Sequence, residues 1–64
     1  MVLRDLQEIM LGSQRLKIYI DDWYEPVFIG YNSSIDDAIL NKQIDFITPS
    51  VDEKECILVQ LESR

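Results

Sequence analysis

The spacing of apolar residues along the chain switches between helical and strand periods, and each switch marks an element. Residues 2–11, VLRDLQEIML, place Leu3, Leu6 and Met10 at i, i+3 and i+7 with Ile9 beside them, while Arg4, Asp5, Gln7 and Glu8 fall on the other side. This is the pattern of a short amphipathic helix. Gly12 follows the last periodic residue, where glycine stops a helix because it tolerates positive φ, so the helix is predicted to end near Leu11. In RLKIYID the period falls to two: Leu16, Ile18 and Ile20 alternate with Lys17, Tyr19 and Asp21, as in a half-buried strand. PVFIGYN continues this pattern with Val27, Ile29 and Tyr31 on one face and Phe28 and Gly30 on the other. Asp22 to Pro26 between them predicts a hairpin.

NSSIDDAILNKQ returns to a helical period. Ser33 or Ser34 is placed to cap, Asp36 and Asp37 fall in the first turn, and Ile35, Ala38 and Ile39 form a narrow apolar stripe. Two more strand patterns follow, IDFIT and CILVQLE, separated by Pro49 and a polar run from Ser50 to Glu55. In the last strand Ile57, Val59 and Leu61 face inward, against Cys56, Leu58 and Gln60. The order is helix, two strands, helix, two strands. It predicts a single α+β domain over residues 1–64, with a four-stranded, mainly antiparallel sheet and two short helices on one face.

Length limits this fold, because a chain of 64 residues buries only roughly 60% of the surface its unfolded form exposes. With 47% hydrophobic and 28% charged residues, a packed core is nonetheless expected. One cysteine, Cys56, allows neither an internal disulfide nor a multi-cysteine metal site, which fits a reducing setting. The N-terminal residues lack the apolar core of a signal peptide and no apolar run reaches membrane-spanning length. A cytoplasmic protein with no membrane contact is expected. Twelve acidic against six basic residues give a net charge of -6, which opposes direct nucleic-acid binding and favours partners with basic surfaces.

Histidine is absent, removing the commonest general base and zinc ligand. The adjacent pairs Asp21–Asp22 and Asp36–Asp37 point in different directions on a strand or helix, so they are poor acid–base couples. Asp52, Glu53 and Glu55 lack calcium-loop spacing and read as a solvated hairpin loop. Cys56 reads as a half-buried small hydrophobe. The expectation is a protein without catalytic residues, metal or cofactor.

Two features remain as candidate contacts. The first is the acidic set Asp21, Asp22, Glu25, Asp36, Asp37, Asp45, Asp52, Glu53 and Glu55, which recurs at element ends. It reads either as solvated surface and helix capping or as carboxylates that stand in for phosphates on a basic groove. The second is IDDWYEPVFIG, where Trp23 and Tyr24 sit between Asp21, Asp22 and Glu25. Aromatic residues at a hairpin tip suit an interface anchor. In a domain short of core, Trp23 could equally fold back over an open face shared by Tyr19, Phe28 and Leu58.

The whole pattern resembles the small acidic proteins encoded by bacteriophages and prophages of Gram-positive bacteria. The similarity runs through "LRDLQEIM", the hairpin "LKIYIDD...VFIGY", "SIDDAILNKQ" and the closing "IDFITPSVDEKECILVQL". Some members of that group look like anti-defence factors, including anti-CRISPR inhibitors that bind an effector nuclease and block its DNA site. The resemblance therefore implies a non-enzymatic inhibitor with a CRISPR effector nuclease as partner; it carries over no defined active residues. A second expectation is a structural or assembly role. In that role a sheet face with Phe28, Ile47 and Leu58 pairs with another copy, as a homodimer, or with a larger phage protein.

Overall fold

A computed structural model describes residues 1–21 and 23–63 of the chain. Asp22 and Arg64 lie outside the described residues. The two strands with the most continuous apolar patterning, β1 (Arg15–Ile20) and β4 (Cys56–Leu61), take the centre of the sheet. They run parallel, paired from Arg15 opposite Cys56 to Ile20 opposite Leu61. β2 (Phe28–Tyr31) lies antiparallel on the outer side of β1, and β3 (Ile44–Pro49) lies antiparallel on β4. The order is β2-β1-β4-β3.

Both hairpins thus follow the predicted antiparallel pairing, and the join between them does not: the sheet is mixed. Strands that need burial on both faces are the first and last in sequence. Bringing them side by side makes them parallel, which requires a crossover rather than a tight turn. Residues 32–43 supply it.

That crossover is not the predicted second α-helix. It consists of two single 3-10 turns, Asn32–Ser34 and Asp37–Ile39, with Ile35 and Asp36 extended between them. Its apolar stripe is too narrow to cover a sheet, and the covering is done instead by α1 (Leu3–Ile9), whose Leu3 and Leu6 are buried. The crossover contributes Ile35 and Leu40 to the same core, where they meet Leu16, Ile18, Val59 and Leu61.

Seven residues are too few for a helix to persist unaided. The crossover holds α1 at both ends. At the N-terminus, the N–H groups of Leu3 and Arg4 donate to the carbonyls of Lys42 (3.0 Å) and Leu40 (2.8 Å), and Asp5 Oδ2 accepts from Val2 N–H at 3.1 Å. At the C-terminus, Asn32, 2% exposed, donates its side-chain amide to the carbonyls of Gln7 (2.9 Å), Met10 (3.2 Å) and Leu11 (3.3 Å). Tertiary partners thereby satisfy the first two N–H groups of the helix and the Gln7 carbonyl, and hold the chain just beyond its C-terminus.

α1 stops at Ile9, earlier than predicted, and Met10 is already extended. Gly12 is not in the left-handed region. Its role is close approach: a Cβ there would lie 3.3 Å from Ser33 Cβ, on the segment whose N–H bonds the Gly12 carbonyl at 3.0 Å.

Register assigns the two faces. Leu16, Ile18, Val59 and Leu61 point to α1, each 1% exposed or less. Phe28 pairs with Ile18 and so belongs to this covered face, where it packs against the core; the expected place on the open face is corrected. A bulge between Ile44 and Phe46 corrects Ile47 in the same way. With Asp45 as the extra residue, Ile44 lies opposite Leu61 and Ile47 opposite Val59, while Phe46 turns to the open side opposite Gln60. Of the expected trio, Leu58 alone is on the open face.

Candidate functional site

The open face is a lattice of side chains set by the register. One row crosses it as Ile29, Lys17, Leu58 and Thr48; a second runs through Tyr19, Gln60 and Phe46. Trp23 settles over this second row. Asp21, at φ 70, turns the chain out of β1, and Val27 N–H closes the loop onto the Ile18 carbonyl at 2.7 Å. The indole lies 5.1 Å from the Tyr19 ring at 54° and 6.2 Å from the Phe46 ring at 84°. These are favourable tilted and edge-to-face geometries. Because Tyr19 is on β1 and Phe46 on β3, Trp23 spans β4. It remains 43% exposed, so one indole both closes the sheet and offers a surface.

The predicted acidic residues divide. Asp21, at the end of β1, and Asp45, the bulged residue of β3, line one shallow depression with Gln60, Leu61, Glu62 and Ser63. Three neighbouring strands each deliver one carboxylate to it. Tyr24 and Glu25 are exposed in the Trp23 loop but outside that depression. Asp36 and Asp37 sit on the crossover, in the layer behind the sheet, so they do not join the same patch. Asp36 is itself the cap of the second 3-10 turn, its Oδ1 accepting from Ala38 N–H at 3.0 Å, a role that had been assigned to Ser33 or Ser34. Asp22 lies outside the described residues. Glu62 was missed; its signal was its place as the first charge after the alternating CILVQL run.

The opposite end of the open face has its positive charge engaged. Glu53 reaches back from the β3–β4 loop to Lys17 Nζ at 2.9 Å, with Arg15 at 3.8 Å. Ser50 shapes this loop by accepting at its Oγ from Asp52 N–H (3.3 Å) and Glu53 N–H (3.2 Å). Gln14 ties the loop down by donating to the Glu55 carbonyl at 2.7 Å, where Glu55 adopts φ 62. The hydrogen bond from Lys17 holds the Glu53 carboxyl below its ordinary 4.5, and the same bond raises Lys17 above 10.5. The depression at Asp21, Asp45 and Glu62 shows no such pairing with a cation among the described residues.

Cys56 is 4% exposed and opens β4 beside Arg15, a packed position rather than a reactive one. Among the described residues, no group of three or more histidine, cysteine, aspartate or glutamate side chains is arranged to hold a metal ion. No described helix is long and apolar enough to cross a membrane. The chain matches no protein-family model, no curated protein and no solved structure.

Proposed function

We propose that the protein is a non-enzymatic binding module, acting as an inhibitor, that docks its open sheet face on a basic surface of a partner protein. The observation that carries this reading is a half-exposed Trp23, seated on Tyr19 and Phe46 on the open face, together with carboxylates from three adjacent strands gathered at one end of the same sheet. Aromatic anchors give contact area at low entropic cost, and a one-signed rim steers encounter with the opposite charge. The excess of acidic residues supports the same polarity. Surfaces that bind nucleic acid are basic, so an occupant of this kind excludes the nucleic acid. The resemblance to phage-encoded acidic proteins makes a CRISPR effector nuclease the most concrete partner.

The test is association with a purified, guide-loaded effector nuclease at low and high salt, followed by competition with target DNA. Salt-sensitive binding that DNA displaces supports the reading. In that assay Asp21→Ala, Asp45→Ala and Glu62→Ala together weaken association and flatten its salt dependence. Binding unaltered by the triple substitution removes the electrostatic argument.

A further inference from the structure

The two edges of the sheet are not equivalent. Along β3 the edge is blunted: Ile44 N–H donates to the Met1 carbonyl at 2.8 Å, Val2 bridges Gln43, Asp45 bulges, and Pro49 ends the strand. These are the usual protections against stray pairing. β2 has no bulge in its pairing with β1 and no proline or lysine among its four residues.

The direction of its free backbone groups follows from the ladder. Asn32 N–H donates to the Gln14 carbonyl at 2.8 Å, so the next hydrogen-bonded pair is Leu16–Gly30, and the regular ladder ends at Ile18, whose carbonyl takes Val27 N–H. Bonding alternates residue by residue in an antiparallel pair. The N–H and C=O of Ile29 and the N–H of Tyr31 therefore point away from β1, along the rim of the molecule, while the Tyr31 carbonyl caps the 3-10 turn that follows. The side chains of Ile29 and Tyr31, 56% and 51% exposed, stand on the open face.

We infer that the β2 edge is a strand-addition site, and that its occupant is a short extended segment of another protein carrying lysine or arginine. Main-chain bonds to the N–H and C=O of Ile29 and to the N–H of Tyr31 supply the attachment, and the exposed Ile29 and Tyr31 side chains supply a floor for alternate residues of the guest. Charge selects the guest. A second copy brings another net -6 to the encounter, whereas a basic segment is drawn toward the chain, the two cations next to β2, Arg15 and Lys17, being already engaged by Glu53. The inference stands on edge geometry and net charge and does not depend on the Trp23 face.

The test is titration of the isotope-labelled protein with a short peptide of alternating lysine and valine, read by amide shifts and hydrogen exchange. Saturable protection of the Ile29 and Tyr31 amides is expected. The same peptide methylated on alternate backbone nitrogens should lose the protection while keeping its charge. Ile29→Pro removes an outward donor without breaking a bond to β1, and should weaken binding by about tenfold or more relative to Ile29→Val. If the proline variant fails to fold, the methylated peptide still decides the matter. Equal binding by the methylated peptide, or absence of protection at Ile29 and Tyr31, overturns the inference. Protection of these amides without peptide, rising with protein concentration, overturns the basic guest in favour of a second copy.

Discussion

Two faces of the same central strands have been closed by different means. On the covered face, Leu16, Ile18, Val59 and Leu61 are sealed beneath α1 and the crossover by apolar packing. On the open face, Lys17 is held by Glu53 from the loop at one end, while Tyr19 is capped by Trp23 at the other. The covered face is built for stability, because close-packed aliphatic burial scales with area and tolerates no voids. The open face is built from single long side chains laid over the sheet, each replaceable by contact with another molecule. The surface proposed to bind a partner is thus the side with fewer buried residues.

Substitutions can break this contrast, and their effects should descend in a set order. Ile18→Ala, on the covered face, should cost about 2–5 kcal/mol and leave little or no cooperative transition in urea. Asn32→Ala should follow at about 2 kcal/mol, because carbonyls at the end of α1 lose a buried donor; urea melts monitored by helical circular dichroism would read it. Trp23→Ala should cost only about 1 kcal/mol, from two ring contacts in a half-exposed setting, and should still abolish partner binding. Full unfolding of that variant would make Trp23 a core residue and erase the distinction between the faces.

The smallest effect belongs to Glu53→Gln, and pH reveals it. Glu53 has a folded pKa below its ordinary 4.5, so its pairing stabilises fully above that value and the benefit disappears as pH falls through the folded pKa. Lys17, raised above 10.5, contributes below that value and loses its contribution as pH rises through the folded pKa. Glu53→Gln should therefore flatten the acid limb of the stability curve while leaving the core transition in place. An unchanged acid limb would show that the pair does not bear on stability.

Much of the covered face was legible because alternation survives wherever a strand is regular: period two alone groups Leu16 with Ile18 on one face and turns Val59 and Leu61 inward. Errors arose where that regularity breaks. The bulge at Asp45 shifts the phase within β3, so Phe46 and Ile47 exchange the faces that uninterrupted alternation gives them. Ile35, Ala38 and Ile39 imitate a helical stripe, yet the crossover's carbonyls at Leu40 and Lys42 serve α1, a tertiary demand that local spacing does not display. Asp21, Trp23 and Asp45 could be singled out by composition. Their grouping with Glu62 could not, since it depends on β1 and β4 lying side by side.

That parallel junction also sets the tempo of folding. Each hairpin closes a loop of only a few residues, but pairing Arg15 with Cys56 joins positions about forty residues apart, and the entropy of that closure must be met before the central ladder returns any bonding. The two hairpins can thus form early and separately. Their docking is then the step expected to limit the rate, at the seam where the finished sheet is most deeply buried.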